Sequence, residues 1–147
     1  MCAAYADTSL LVSLYTPDSN SEAASALFRE LDDLVFITPF GESEFVNSVE
    51  LRVFRKEISS AQAEISLREF QKDLDARSFL AGRAVPPGTY ERAQLISRRY
   101  TRQLGVRGMD VIHVAMALEV RVQMFLTFDK NQANLAKRAG LTVRPGR

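Results

Sequence analysis

Short apolar segments alternate with helix-like segments along the whole chain, and this alternation restricts the fold more than any other feature. Four apolar runs predict strands, at residues 3–6, 34–38, 124–127 and 141–143. The segments between and around them predict helices, at residues 10–15, 21–31, 39–56, 59–80, 89–105, 109–120 and 130–139. Strands that alternate with helices form parallel sheets covered by those helices. The sequence therefore predicts one α/β domain over residues 1–147, with a central, mainly parallel sheet of about four to five short strands.

Local signals indicate where several of these helices begin. Pro39 suits the first position of a helix. Ser59, with Gln62 three residues later, forms a capping-box pattern. Thr89 follows a Pro-Pro-Gly break and can cap a helix that ends at Gly105.

Composition sets limits on function. The chain is 46% hydrophobic and 25% charged, as is usual for soluble globular proteins. Its 19 basic and 18 acidic residues give a net charge of +1, so overall charge does not indicate a nucleic-acid partner. A single cysteine, Cys2, excludes an internal disulfide and suits a reducing compartment. The first residues lack the basic region of a signal peptide, and no apolar run approaches the ~18 residues that span a bilayer. We therefore expect a cytoplasmic protein.

Four acidic residues lie where a chain can direct carboxylates into one crevice. Asp7 and Asp129 directly follow predicted strands, and ligands of open α/β sheets bind at the carboxyl ends of strands. Glu44 and Asp110 lie near the starts of helices that can lean over the same edge. Gathered carboxylates repel one another unless cations hold them, and Mg²⁺ or Mn²⁺ prefers oxygen ligands. The pattern predicts a metal-dependent site for phosphoryl transfer.

Each of these acids also has a purely structural interpretation. Asp7 and Asp129 are favoured residues for capping the helices that follow them. Asp110 and His113 are the polar residues in an otherwise apolar stretch at 109–118, so an unpaired carboxylate there would be costly, although a helix N-terminus offsets part of the penalty. Helical phase leaves Glu42 and Glu44 on two faces that both look partly buried, and it does not choose between them.

The chain resembles the PIN domain family, and within it the toxin ribonucleases of the VapC type. The resemblance covers nearly the whole sequence and rests on four motifs in order. They are Asp7-Thr8-Ser9, then Glu44 with Asn47 followed by Arg52 and Arg55, then Asp110 with His113 and Ala117, and finally Thr127-Phe128-Asp129. Each motif alone occurs by chance, but all four in this order and spacing are specific.

The resemblance implies a set of site residues. It makes Asp7, Glu44, Asp110 and Asp129 the catalytic carboxylates and the ligands of one or two Mg²⁺ or Mn²⁺ ions, and it selects Glu44 over Glu42. It also implies that polar neighbours orient the carboxylates or a water molecule. These neighbours are Thr8, Ser9, Asn47 and Thr127.

His113 is the only histidine in the chain and lies one helical turn after Asp110. Imidazole suits Zn²⁺ better than Mg²⁺, but no cysteine cluster or second histidine accompanies it. We interpret His113 either as a packed residue or as one that supports the metal ligands, hydrogen-bonded near the site.

Contact with RNA requires positive charge around an acidic pocket. Residues 83–107 carry six arginines and one acid, Glu91. Arg98, Arg99, Arg102 and Arg107 are our candidates there, with Lys130 in a second patch that includes Lys137 and Arg138. A solvated helix face, or a genome rich in G and C, explains the arginines equally simply.

The function implied by the resemblance is Mg²⁺- or Mn²⁺-dependent hydrolysis of RNA phosphodiester bonds by a metal-activated water. The expected role is that of a toxin in a VapBC-type module, with a small antitoxin as partner and a homodimer as assembly. We expect the antitoxin to bring an arginine or lysine to the carboxylates and to dock on an apolar surface formed by Phe40, Leu51 and Phe54 with the helix at 61–80. Alternatives are a PIN nuclease in RNA processing without an antitoxin, or a non-catalytic PIN-like interaction module. A haloacid-dehalogenase-like phosphatase needs a second acid two residues after Asp7, where this chain has Ser9.

Overall fold

A computed structural model describes residues 3–146, so Cys2 lies outside the described part of the chain. Five short strands form one sheet in the order β3-β2-β1-β4-β5, and every neighbouring pair is parallel. The strands are β1 Ala4–Ala6, β2 Val35–Ile37, β3 Leu80–Ala81, β4 Met124–Leu126 and β5 Thr142–Arg144. The predicted α/β class and parallel sheet are confirmed.

Helices connect the strands and cover the sheet. They are α1 Thr8–Tyr15, α2 Ser21–Glu30, α3 Pro39–Phe54, α4 Ser60–Asp75, α5 Thr89–Ile96, α6 Arg102–Leu104, α7 Gly108–Glu119 and α8 Lys130–Arg138, with a π-helical segment Ser97–Thr101 between α5 and α6. The start signals at Pro39 and at Ser59 with Gln62 act as predicted. No helix in residues 3–146 is long and apolar enough to cross a membrane.

Two predictions between α4 and α6 were wrong. The helix expected to reach residue 80 ends at Asp75, Arg77 takes a left-handed backbone with φ of 58°, and Leu80–Ala81 pairs with β2 instead. Thr89 does not cap α5. The left-handed Gly88 stands at the cap position, and the Thr89 hydroxyl donates to the carbonyl oxygen of Pro86 at 2.6 Å.

The sheet separates two apolar cores. Successive side chains of a strand point to opposite faces, so Ala4 and Ala6 pack with α1, α3 and α4 residues such as Phe45, while Tyr5 packs on the other face. The Tyr5 ring stacks on Phe125 with 5.3 Å between ring centroids. Helix α7 is buried on nearly all sides, as its apolar composition predicts.

The strand order places the carboxyl ends of β1 and β4 at the centre of one sheet edge. The chain leaves β1 for β2 on one side and later returns to β4 on the other. This reversal creates a crevice between the two strand ends, where α/β proteins bind ligands. Asp7 follows β1 directly, and residues 127–129 follow β4.

Candidate active site

An open cleft of about 570 Å³ lies at this crevice. All four predicted acids line it, although they come from four separate parts of the chain. Asp7 comes from the end of β1, Glu44 from α3, Asp110 from the first turn of α7, and Asp129 from the loop after β4.

Asp7 lies at the floor of the cleft and is only 3% exposed. Its Oδ1 accepts hydrogen bonds from the backbone N–H of Leu10 at 3.1 Å and the hydroxyl of Ser9 at 2.7 Å. Its Oδ2 accepts from the Thr127 hydroxyl. Burial raises the pKa of the Asp7 carboxyl above its ordinary value, against the opposing effects of His113 and these hydrogen bonds. Asp7 is therefore both the cap of α1 and a cleft residue.

Thr127 and Ser9 join the ends of β1 and β4. The Ser9 hydroxyl accepts from the backbone N–H of Phe128 at 2.9 Å, and the Thr127 hydroxyl accepts from that of Asp129 at 3.0 Å. The two hydroxyl oxygens lie 3.2 Å apart. This network fixes the orientation of Asp7 relative to the loop that carries Asp129.

Glu44 and Glu42 point to different places. Glu44 lines the cleft, and its Oε1 accepts a hydrogen bond from Thr8 at 2.8 Å and pairs with Nε2 of His113. Glu42 lines a separate groove beside Phe70 of α4. Burial opposes ionisation of Glu44, but the hydrogen bond and charge of His113, the bond from Thr8 and the charge of Arg107 outweigh it and hold the pKa of Glu44 below its ordinary value.

His113 is buried and anchors Glu44 to the core. Its Nδ1 lies 2.7 Å from the Tyr5 hydroxyl, and its Nε2 lies 3.3 Å from the hydroxyl of Thr8. The rings of Tyr5 and Phe40 meet it edge-on, with centroids at 5.8 and 5.2 Å.

Asp110 and Asp129 both act at helix starts. Asp110 is 6% exposed, and its Oδ2 accepts from the backbone N–H of Arg107 at 3.1 Å and from its Nε at 3.5 Å. Asp129 caps α8 by accepting from the backbone N–H of Gln132 at 2.9 Å. The structural interpretation thus describes part of what each residue does, but both carboxylates also face the cleft.

The cleft has the donor chemistry of a hard divalent cation but is not a closed cage. Within residues 3–146, no group of three or more acidic, histidine or cysteine side chains is gathered closely enough to hold a metal as it stands. One carboxylate oxygen each of Glu44, Asp110 and Asp129 nevertheless accepts no hydrogen bond from another described residue. These oxygens, with the buried Asp7, fit Mg²⁺ or Mn²⁺ better than Zn²⁺.

Four of the five polar residues predicted to support the acids lie at the cleft or directly beneath it, and one does not. Thr8, Ser9 and His113 line the cleft, and Thr127 bonds Asp7 beneath it. Asn47 is exposed and does not line the cleft.

Most of the predicted RNA contacts lie away from the cleft. Arg107 lines it, with a side chain 77% exposed. Arg98, Arg99 and Arg102 are exposed on the π-helical segment and α6, and Arg99 lies over the Tyr100 ring at 5.3 Å. Lys130 borders a neighbouring pocket instead.

Arg52 and Arg55 supply positive charge that our sequence prediction of RNA contacts left out. Arg52 lines the cleft from α3, and Arg55 lines it from the position directly after α3. Arg52 is held by Glu57 at 3.0 Å and by the carbonyl oxygen of Pro17 at 3.2 Å, whereas Arg55 is exposed and forms no ion pair within residues 3–146. Helical phase could have found Arg55, because it follows Glu44 by eleven residues, about three turns, within the helix predicted at 39–56.

Comparison with known proteins identifies the fold. No curated protein sequence matches the chain. VapC20 from Mycobacterium tuberculosis, described as a toxin that cleaves the sarcin-ricin loop, is similar with a TM-score of 0.71 and 15% identity over 97% of this chain and 99% of that one. VapBC2 from Rickettsia felis, solved with a DNA fragment of its promoter, is similar with a TM-score of 0.65 and 15% identity over 97% of each chain. FitAcB from Neisseria gonorrhoeae is similar with a TM-score of 0.62 and 15% identity over 95% of each chain.

At these identities the solved structures establish the shared fold. The family itself follows from the sequence model of the PIN domain, which matches residues 4–138 and so includes all four acids. The chain belongs to the PIN domain family.

Proposed function

We propose that this PIN domain is a Mg²⁺- or Mn²⁺-dependent endoribonuclease and the toxin of a VapBC-type toxin–antitoxin module. The observation that carries the proposal is the convergence of Asp7, Glu44, Asp110 and Asp129 on one cleft at the sheet's reversal point. The motifs that carry the VapC resemblance contribute all four.

The rim of the cleft suits a phosphodiester substrate. Arg52, Arg55 and Arg107 line the same cleft as the four acids. Guanidinium groups bind phosphate oxygens with paired hydrogen bonds, and they offset the repulsion between the substrate and the carboxylates. RNA is the expected polymer because the chain resembles toxin ribonucleases.

The chain's own residues prepare the reaction. Ser9 and Thr127 fix the Asp7 carboxylate, while His113 and Thr8 hold Glu44 as an anion directed at the cleft. Asp7, Glu44, Asp110 and Asp129 would hold a divalent cation, which would polarise the phosphate and lower the pKa of a water. The arginines orient the phosphate so that water can add to phosphorus while one P–O ester bond breaks, and the proton of the water passes to the ribose oxygen that leaves.

An antitoxin partner is supported by an exposed apolar surface beside the cleft. Phe54 is 82% exposed at the end of α3, and Leu51 of α3 and Ile65 of α4 are also exposed. Phe40 does not join this surface, because it packs on His113. The similarity of this chain to VapBC2 and FitAcB supports the proposal of a small partner protein. We also propose that the protein is a cytoplasmic homodimer.

Two alternatives make different predictions. An RNA-processing nuclease without an antitoxin would cleave RNA but would have no binding partner encoded beside it. A non-catalytic interaction module would bind neither Mg²⁺ nor Mn²⁺.

The direct test measures cleavage of a mixed RNA pool by wild type in Mn²⁺ and in excess EDTA, beside Asp7→Asn, Asp110→Asn and Asp129→Asn. We expect Mn²⁺-dependent cleavage by wild type and loss of cleavage in each variant. Undiminished cleavage in EDTA, or by Asp110→Asn, would show that the acids are structural.

A further inference from the structure

A second pocket of about 180 Å³ lies next to the cleft on the same edge of the sheet. Phe128 and Asp129 line both cavities, so the two are neighbours along the loop after β4. The second pocket extends away from β1 toward the end of β5, where Pro145 borders it. A ligand long enough to leave the cleft in this direction would pass over Phe128 and Asp129.

One face of α8 forms the wall of this pocket. Lys130, Ala133, Asn134 and Lys137 line it, at spacings of three, four and seven residues that place them on one side of a helix. The two lysines are separated by two helical turns, roughly 10 Å along the axis. The small Ala133 between them leaves room for a ligand, and Asn134 can donate or accept hydrogen bonds.

The two lysines are available for an anionic ligand. Both are exposed, and neither forms an ion pair with another residue in the described part of the chain. The nearby Arg144 differs, because its guanidinium pairs with Glu30 at 3.2 Å. Asp129 is the one acid among the described residues that lines the pocket, and one of its oxygens already caps α8.

We propose that the pocket lined by Lys130, Asn134 and Lys137 is a subsite for the RNA strand that continues beyond the bond being cut. This inference rests on the proposed nuclease function. An acidic cleft holds one phosphate against charge repulsion, so a polymer substrate gains affinity from cationic contacts to its neighbouring phosphates. Grooves for single-stranded nucleic acid combine such a basic track with an aromatic side chain, here Phe128 at the boundary of the two cavities.

Binding measurements test the subsite without relying on cleavage. The probe is a labelled single-stranded RNA of mixed sequence, about 12 nucleotides long, within the span that such grooves cover. Binding is measured with Asp7→Asn protein in Mn²⁺ and with wild type in EDTA, each with and without Lys137→Ala or Lys137→Glu. The control is Lys72→Ala, because Lys72 is an exposed lysine of α4 that lines neither cavity.

We expect Lys137→Ala to weaken RNA binding about two- to fivefold, the range for one exposed ion pair, and Lys137→Glu to weaken it further. The slope of log affinity against log salt should become shallower by roughly 0.7, because the protein then neutralises one phosphate fewer. Lys72→Ala should change neither quantity. Lys137 variants that bind RNA like Lys72→Ala would overturn the subsite, as would variants that lose a protein partner but keep full RNA affinity.

Substrate length gives a second, independent readout. Two series of substrates are compared, one shortened from the 5′ end and one from the 3′ end of a cleaved RNA. In only one series should the effect of Lys137→Ala on KM disappear, because in that series no nucleotide reaches the pocket. An effect that persists on RNAs shortened from either end would contradict the inference. If wild type binds RNA through Lys137 but does not cut it, the subsite stands and the proposed nuclease function fails. If the protein cuts RNA and Lys137→Ala changes neither binding nor KM, the nuclease function stands and the subsite fails.

Discussion

His113 joins Glu44 of the cleft to Tyr5 of the core. Its Nε2 pairs with Oε1 of Glu44, and its Nδ1 lies 2.7 Å from the Tyr5 hydroxyl. Burial raises the pKa of Tyr5 above its ordinary value, so the phenol stays protonated and can donate to Nδ1. In a neutral imidazole that bond leaves the ring proton on Nε2, directed at the Glu44 carboxylate, and in an imidazolium both nitrogens carry protons. In either form Nε2 presents a proton to Glu44, and the buried Tyr5 fixes the orientation of the ring.

The first prediction separates the two glutamates of α3. Glu44→Gln should reduce Mn²⁺-dependent RNA cleavage more than the roughly 10–100-fold typical of losing a residue that only supports a metal ligand. Glu42→Gln should leave cleavage within about twofold, because Glu42 lines the groove beside α4, away from the cleft. Initial rates at saturating Mn²⁺ measure both. Equal rates in the two variants, or the reverse order, would mean that Glu44 has no special role.

A second prediction concerns the support of Glu44 by His113. His113→Asn and Tyr5→Phe should both raise the Mn²⁺ concentration needed for half-maximal cleavage, by roughly 10–100-fold for His113→Asn and less for Tyr5→Phe. The reason is that each change frees Glu44 from its fixed orientation. Leu27→Val, a change in the core at α2 and away from this hydrogen-bond chain, controls for general loss of packing. Variants that lose stability but keep the wild-type Mn²⁺ requirement would show that His113 only fills space.

The sequence predicted the parallel sheet, and the meeting of acids at one edge of it, for a simple reason. Period-two and helical patterns are local, and acids that follow strands reach the same edge whenever the sheet is parallel. Asp7 and Asp129 could therefore be placed together although they are far apart in the chain.

Features that depend on contacts between distant segments could not be predicted. Strand β3 has two residues, too few for a period, and it forms because it pairs with Phe36 and Ile37 of β2. The link between Tyr5 and His113 joins residues 108 positions apart in the sequence. Arg55, by contrast, follows Glu44 by about three turns in the helix predicted at 39–56, so helical phase could have assigned it to the cleft.

A third prediction addresses the partner protein. If a small protein is encoded beside this chain, co-expression should relieve growth arrest caused by the chain alone. Phe54→Ser should weaken that rescue, because the 82% exposed Phe54 offers a large apolar contact. Leu95→Ser is the matched control, since Leu95 is also exposed but lies on α5. Rescue unaffected by Phe54→Ser would place the partner on another surface, and absence of any binding neighbour would favour an RNA-processing nuclease.

The last prediction follows from the buried carboxylate of Asp7. Its folded-state pKa is raised by burial, so the folded protein binds this proton more tightly than the unfolded chain, whose aspartate pKa is about 3.9. The contribution of Asp7 to stability is therefore fully present below the unfolded pKa and is lost as pH rises through the folded pKa. Without metal, the free energy of unfolding of wild type relative to Asp7→Asn should fall with rising pH across this window.

Added Mn²⁺ should offset the loss of stability that ionised Asp7 causes at neutral pH. Wild type should gain about 2.7 kcal/mol when free Mn²⁺ is a hundredfold above its dissociation constant, because the ion binds the folded state alone. Asp7→Asn should gain much less, since it lacks the buried ligand. Urea unfolding of both proteins over a pH series, with Mn²⁺ or with EDTA, measures each effect. Parallel pH curves for the two proteins, together with no response to Mn²⁺, would show that Asp7 acts only as the cap of α1.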